Sequence, residues 1–350
     1  MTRERIVGDG RDTAFRRPTI NDVAALSGVS KSTVSNVMRQ TGSVSDATRR
    51  RVVEAVERLG YRPNATARNL VMQRTNLIGV LVGDLANDFN AELVKRIEQH
   101  ASAAGYTTLV CNTGGHAERE GSRIEALLEQ RVDGIALLDF TGDRAVLSQL
   151  LGERVPVAMV SCWSEYADCV AVDDMVGVGL AVQHLVELGH RRIAYAVDPL
   201  MEATTRHSRA EAFDRVMLRS GLPPRSEWTV LCGTGDDGGD DAAMLELLRG
   251  EAPPTAIVAA NDHTAIRLME LLEGAGRAVP GDVSLAGIDG IDTAGLSRIA
   301  LTTVAQPKEE LASLGVALLL GRIESGYDAP PQQRRLRPAL IVRQSTAPPR

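Results

Sequence analysis

Lysine is almost missing from this chain of 350 residues: Lys31, Lys95 and Lys308 stand alone among 39 basic positions, and arginine supplies the rest. That bias points to a GC-rich genome rather than to a mechanism. Aromatic residues make up only 3% of the chain. Four cysteines (Cys111, Cys162, Cys169 and Cys232) form no CxxC pair and are too few for a disulfide scaffold, so reduced, mostly buried thiols are expected. The opening MTRERIVGDGRDTAFRRP has no apolar segment of signal-peptide length. No apolar run approaches the ~20 residues of a membrane span. The expected location is therefore the cytoplasm, with no membrane partner.

Catalytic and metal-binding patterns are missing too. His100, His116, His184, His190, His207 and His263 show no ligand spacing with cysteines or paired carboxylates, and no G-x-S-x-G occurs. The sequence predicts no catalytic residue, no metal, no cofactor and no enzyme.

At roughly 150 residues per domain, the length suggests two or three domains. The formal net charge is −6, which taken whole argues against a nucleic-acid binder. Its distribution argues the reverse. Residues 1–70 hold 13 Arg or Lys against 7 acids, a balance of +6, which leaves −12 on the remainder. A basic module that meets a polyanion, joined to an acidic globular body, fits this asymmetry.

Within the basic part, residues 1–17 are polar and read as a flexible tail. Thr19 can cap a helix with Asp22 closing the box, and Ile20, Val23, Ala24 and Leu26 give it an apolar face. Gly28 can end that helix in the left-handed conformation. Ser30 then caps a second helix whose apolar positions are Val34, Val37 and Met38. A third runs from Ser45 to Leu59 with Val52, Val53, Val56 and Leu59 at helical spacing. Two short helices joined by a glycine turn and braced by a third describe a helix-turn-helix. In that motif the second helix enters the major groove. Lys31, Ser32 and Asn36 share its polar face; Lys31 could reach guanine and Asn36 could pair with adenine. Thr19, Ser30, Thr33 and Ser35 offer hydroxyls to phosphates. The spacing alone fits a small helical hairpin with solvated faces equally well.

From Leu77 the period changes to alternating strands and helices, which predicts parallel, doubly wound sheets. About ten strands are too many for one layer, so two lobes with a ligand cleft between their strand ends are expected. Gly233-Thr234-Gly235-Asp236-Asp237-Gly238 spells the dinucleotide pattern G-x-G-x-x-G, yet its aspartates would repel a pyrophosphate. An acidic strand-to-helix loop is the better reading.

TINDVAALSGVSKSTVSNVM, followed by GSVSDATRRRVVEAVERLGYRPNATARNL, resembles the DNA-binding region of the lac repressor (LacI/GalR) family of bacterial transcription regulators. The family string runs close to T-I-x-D-V-A-x-x-A-G-V-S-x-x-T-V-S-R-V-L, then L-G-Y-x-P-N-x-x-A-R-x-L. One departure is Asn36, where the family usually has Arg. Residue spacing makes 63–70 a linker, because six residues after a capping Asn64 are too few for an isolated helix. The resemblance implies instead a hinge helix formed on the operator by two subunits side by side. Leu70 would wedge into a minor-groove step, with Ala67 close to the groove floor and Arg68 near phosphates.

The resemblance continues through LIGVLVGDLANDFNAEL, VDDMVGVGLAVQHLVELGHRRIAYA, PTAIVAANDHTAI and VPGDVSLAGIDGID. It implies an α/β two-lobed core like the periplasmic sugar-binding proteins, crossed three times near Asp174, Gln306 and Leu336. The resulting division is a tail (1–17), an all-α helix-turn-helix domain (18–62), a hinge helix and linker (63–75) and an effector-binding, dimerising core (76–345). Lobe 1 of that core would hold about 76–174 and 306–335, and lobe 2 about 175–305 and 336–345.

Effector contacts implied by matching positions are Asn87, Phe89, Asn261, Asp289 and Gln306, with Arg209 forking onto hydroxyls or a carboxylate. Ser161 stands where an Asp often contacts a sugar, Gly290 replaces a second Asp, and Trp163 with Phe89 would give a stacking face. The whole implies a repressor that binds near-palindromic operator DNA as a homodimer, controlled by a sugar or polar metabolite. The family's tetramerising leucine-heptad tail has no counterpart after LIVRQST, so a dimer is expected. A periplasmic sugar-binding protein would share the core but leave residues 18–70 without a purpose.

Overall fold

The computed structural model describes residues 18–39, 41–61, 74–140, 144–199, 201, 203–232, 241–327 and 329–350. The flexible-tail prediction, the hinge assignments at Asn64, Ala67, Arg68 and Leu70, and the glycine loop 233–238 lie outside the described residues. Two compact units are present, Met1–Thr75 and Asn76–Arg350.

In the first unit, the Thr19 amide and hydroxyl both donate to Asp22 Oδ2, at 2.8 and 2.7 Å, and start α1 (Ile20–Ser27). Gly28, at φ 67°, ends it. The amide of Thr33 donates to Ser30 Oγ at 3.1 Å in the first turn of α2 (Lys31–Arg39). Ser45 accepts from the Thr48 amide to cap α3 (Asp46–Leu59), and Gly60 closes that helix in the left-handed region. The three helices bury Val23, Val34, Val37, Val52 and Ala55 against one another. Three apolar-face expectations fail: Leu26, Met38 and Val53 are exposed. The buried row of α3 is Val52, Ala55, Val56 and Leu59, spaced i, i+3, i+4, i+7, and Val53 falls about 100° off it.

The second unit is two six-stranded sheets. The first has the order β11-β5-β4-β3-β1-β2 and is wholly parallel. Its strands are β1 (Leu77–Val82), β2 (Thr107–Asn112), β3 (Gly134–Leu138), β4 (Val157–Val160), β5 (Asp168–Val172) and β11 (Gln333–Leu336). The second has the order β12-β10-β9-β8-β6-β7, parallel except for the antiparallel edge strand β12. It is built from β6 (Ile193–Val197), β7 (Thr229–Leu231), β8 (Ala256–Ala259), β9 (Ser284–Asp289), β10 (Thr302–Ala305) and β12 (Ala339–Ile341). Among the described residues there are twelve strands where about ten were expected. The last two, β11 and β12, are edge strands of four and three residues, too short to show a period.

Central strands such as β3 and β6 are buried along their whole length, as parallel strands covered on both faces must be. Helices α4 (Asp88–Ala103), α5 (Glu120–Glu129), α6 (Arg144–Gly152) and α11 (Lys308–Ser325) belong with the first sheet. Helices α7 (Asp174–Glu187), α8 (Ala203–Arg219), α9 (Asp241–Leu247) and α10 (Asp262–Gly274) belong with the second. Fully buried Leu93 and Ile97 of α4 each contribute about 1.5–3 kcal/mol by leaving water. The chain passes between sheets after β5, at Gln306-Pro307 before α11, and between β11 and β12.

His190 ties the second sheet to the C-terminal segment. Its Nε2 lies 2.9 Å from the Ala347 carbonyl and therefore carries the proton, while Nδ1 sits 2.8 Å from Thr255 Oγ1. Burial, the largest cause, lowers its pKa below the usual histidine value. The folded state therefore resists protonating it. Its stabilising contribution is complete above the unfolded pKa, near 6.5, and is lost as pH falls through the lowered folded value. We expect His190→Gln to lower the melting temperature at pH 7.5 and to flatten the decline between pH 6.5 and 5. An unchanged acid slope in the variant would refute the assignment.

Candidate functional site

Two assemblies of polar residues stand out, one in each unit. On α2, Lys31, Ser32 and Asn36 are exposed and Ser35 half-buried, at spacing i, i+1, i+4, i+5 along one face. Val34 and Val37 are buried on the other. Ser30 Oγ lies 2.7 Å from Ser32 Oγ and 2.9 Å from Thr33 Oγ1, so three hydroxyls converge on the first turn. The first amides of a helix have no partner further along it, which makes such a turn a natural place for a phosphate. Thr19 differs, since its hydroxyl is spent on Asp22. A Cβ on Gly42 would stand 3.4 Å from Asn36 Nδ2, so the turn after α2 needs glycine both for this approach and for its φ of 75°.

In the second unit a cavity of about 390 Å³ opens where the carboxyl ends of both sheets meet. Parallel strands deliver their following residues to this position, which is the general rule for ligand crevices in such folds. From the first sheet come Asp84 after β1, Thr113 after β2, Asp139 after β3 and Ser161 after β4. The second contributes Asp198 after β6, Asn261 after β8, Asp289 at the end of β9 and Gln306 after β10. Asn87 and Phe89 arrive on the cap and first turn of α4, Arg209 on α8.

Of the residues assigned from sequence, Asn87, Phe89, Ser161, Arg209, Asn261, Asp289 and Gln306 line this cavity together. Trp163 does not. Ser161, at φ 66°, turns the chain away, and Arg335 stacks over the Trp163 ring 4.1 Å from its centroid. Asp84, Asn90, Asp139, Asp198 and His263 also line the cavity and were missed. Asp139 and Asp198 each directly follow a buried strand, a signal that could have found them.

Arg209 corrects a second expectation. Its Nε donates to Asp174 Oδ1 at 3.1 Å, Nη1 to the Ala260 carbonyl at 2.5 Å, and both Nη atoms lie 3.4 Å from Asp289 Oδ1. The guanidinium is thus engaged by the protein instead of presenting an open fork. Burial disfavours its charge, but Asp289 and Asp174 beside it more than offset that and stabilise the charged form. Asp289 also accepts from Gln306 Nε2 at 2.6 Å. Burial raises the Asp289 carboxyl above the usual carboxylate range despite Arg209 and Gln306, and Asp139 adds repulsion. Its neighbour Asp262, wholly buried, is raised by burial first and by Asp289 second. Asp262 accepts from Thr303 Oγ1 at 2.5 Å and from the Ile291 amide at 3.0 Å.

Asp139, Ser161 and Asp289 all have positive φ (48°, 66° and 125°), a costly conformation away from glycine that tends to gather at binding sites. Gly290, where the resemblance would put an aspartate, has φ 67°, and a Cβ there would stand 2.5 Å from Ala305 Cβ. The departure from the family string is therefore a backbone requirement. Across the cleft, Lys308 Nζ reaches Glu92 at 2.7 Å and the Gly290 carbonyl at 2.5 Å, while Glu92 accepts from the Asp292 amide at 2.8 Å.

Among the described residues, no helix is long and apolar enough to cross a membrane. Nor does any group of three His, Cys, Asp or Glu among them suit a metal ion.

Comparison with known proteins gives two family matches. Residues 19–64 match the model described as bacterial regulatory proteins, lacI family, and residues 182–346 match a periplasmic binding protein-like domain. The ribose operon repressor of Escherichia coli (strain K12) is 35% identical over 336 residues, covering 93% of this chain and 99% of the relative. The crystal structure of the lac repressor dimer bound to operator and the anti-inducer ONPF superposes with a TM-score of 0.82 at 27% identity, covering 95% of this chain and 100% of that one. A regulator from Enterococcus faecium crystallised with bound ribose gives a TM-score of 0.67 at 30% identity, covering 78% and 100%.

Proposed function

The chain belongs to the lacI family of bacterial regulatory proteins, and on that premise we propose how its two assemblies work together. It is a DNA-binding transcriptional repressor whose operator affinity is set by a small-molecule effector. Two subunits place α2 in successive major grooves of a near-palindromic operator, with Lys31, Ser32 and Asn36 toward base edges. Ser30, Thr33 and Ser35 contact phosphates. Asn64, Ala67, Arg68 and Leu70 form the minor-groove hinge on the operator. The effector, a sugar or related polar metabolite, sits in the 390 Å³ cavity against Asn87, Phe89, Ser161, Asn261, Asp289 and Gln306. Its binding changes the closure of the lobes, and so the separation of the two hinges. Coupling of this kind is reciprocal, so operator must alter effector affinity by the same factor. The protein acts where the DNA is, in the cytoplasm.

One observation carries this reading: a helix-turn-helix and a core with a polar cavity at its strand ends occur in one chain. The test is fluorescence anisotropy of the full chain on its own promoter region against scrambled DNA, from 50 to 200 mM salt. We expect specific binding at least ~10³-fold tighter than non-specific. Affinity should fall steeply with salt, because the basic unit releases counterions. Lys31→Ala should shrink the specific advantage by roughly 10-fold, as loss of a base contact does. Equal affinity for both DNAs would end the proposal.

A further inference from the structure

Polar bonds tie the first turns of α4 to the segment that follows β9. Asp88 Oδ2 accepts from Thr293 Oγ1 at 2.8 Å. One turn on, Glu92 Oε1 accepts from the Asp292 amide at 2.8 Å. Glu92 Oε2 lies 2.7 Å from Lys308 Nζ, which donates onward to the Gly290 carbonyl at 2.5 Å. Asp88, Glu92 and Lys308 stand on helices of the first sheet, whereas Gly290, Asp292 and Thr293 follow a strand of the second. These bonds therefore join the two lobes. The Glu92 and Lys308 side chains are only 15% and 8% exposed, so removing either one strands a charge away from water.

Each of the three segments that meet here also lines the cavity. Asn87 and Phe89 flank Asp88, Asp289 precedes Gly290, and Gln306 lies two residues before Lys308. A ligand that displaces any of these backbones must strain or release the bonds between the lobes. A second charged group on the same helices offers an internal contrast. Glu309 lies 2.7 Å from His100 Nε2 and 3.6 Å from Arg96 Nε, but all three residues stand on α4 and α11, within one lobe.

From these bonds and their alternation with cavity residues, we propose that Asp88, Glu92 and Lys308 form a latch onto residues 290–293. The latch holds the lobes at the closure described and so sets operator affinity before any effector binds. The inference rests on the effector-controlled reading above and adds the element that couples its cavity to its operator. An effector then acts by changing how often the latch is shut. It can do so only by its difference in affinity for the latched and unlatched states.

The experiment uses the full chain without added ligand. Lobe closure is read as the distance between spin labels at Ala126→Cys on α5 and Glu273→Cys on α10, both exposed, in a Cys111→Ser background. Labelled subunits are diluted with unlabelled ones, so that distances within a subunit dominate. Anisotropy on operator and scrambled DNA is measured beside it. Glu92→Gln and Lys308→Met should each add a longer distance and change the operator Kd at least ~5-fold. The double variant should do no more than either single one, since both remove the same link. Thr293→Val keeps its shape and loses one hydroxyl; it should give a smaller shift, and it decides the matter where the charge variants do not fold. Glu309→Gln should leave distance and affinity alone. An unchanged distance in the latch variants overturns the proposal, as does a longer distance with unaltered operator affinity, or full additivity of the two charge variants. Equal affinity of the wild type for operator and scrambled DNA ends the repressor reading, and the latch's control of affinity with it, whatever the distances show.

Discussion

Arg209→Ala destabilises the core by about 3–5 kcal/mol, because it leaves Asp289 and Asp174 without the cation they were built around. In a unit of this size, that amounts to a drop on the order of 10 °C in melting temperature. The loss depends on pH with a definite sign. Asp289 already titrates above the usual range, and removing Arg209 raises it further. A carboxyl whose folded pKa exceeds its unfolded pKa contributes most below the unfolded value, and that contribution is lost as pH rises through the folded value. The variant should therefore lie closer to wild type at pH 5 than at pH 8, by differential scanning calorimetry. Arg209→Lys keeps the charge but cannot serve Asp174, Ala260 and Asp289 together, so partial recovery is expected. A uniform loss across pH would show that packing, and not charge, is what Arg209 supplies.

Val52→Asp abolishes operator binding and leaves the core untouched. Val52 is wholly buried in a cluster of five buried side chains among the described residues. A domain of that size holds no more than about 3–5 kcal/mol, and an unpaired buried carboxylate exceeds what it can absorb. Specific operator affinity should fall beyond measurement, roughly 10³-fold to the non-specific level. The melting transition of the core should stay in place, because the two units are separately compact. The neighbouring Val53→Asp is the control. Val53 is 42% exposed, so its change should lie within about 0.5 kcal/mol. Equal damage from the two substitutions would disprove the burial of α3 described above.

What the sequence disclosed depends on how far each signal reaches along the chain. The helix-turn-helix was legible because its caps are local: Thr19 with Asp22, Ser30 with Thr33 and Ser45 with Thr48 act over three residues. Helix starts in the core fared worse. Helix α4 starts at Asp88, where Asn87 caps it and polar Asn90 is buried in the first turn, a start that no apolar period announces. Cavity residues on family motifs, such as Asn261 and Gln306, were found. Asp84, Asp139 and Asp198 were not, since a lone aspartate after a strand looks like any turn residue. Trp163 was misplaced because exposed aromatics draw attention, whereas its ring is covered by Arg335, 172 positions later in the chain. Spacing cannot reveal such long-range pairings.

The late edge strands also set an order of events during protein synthesis. Neither sheet of the core is complete until β11 and β12 emerge at residues 333–341, whereas the three-helix unit has every strut by residue 61. At about 5–20 residues per second, the ribosome needs on the order of 15–60 s more to deliver those strands. Each nascent chain therefore carries a finished DNA-reading module well before it has a finished receptor. A chain stalled in that interval, or cut before β11, is a reader without regulation. With one basic module in place of two, it should hold DNA more weakly than a pair of finished subunits, because it neutralises fewer phosphates.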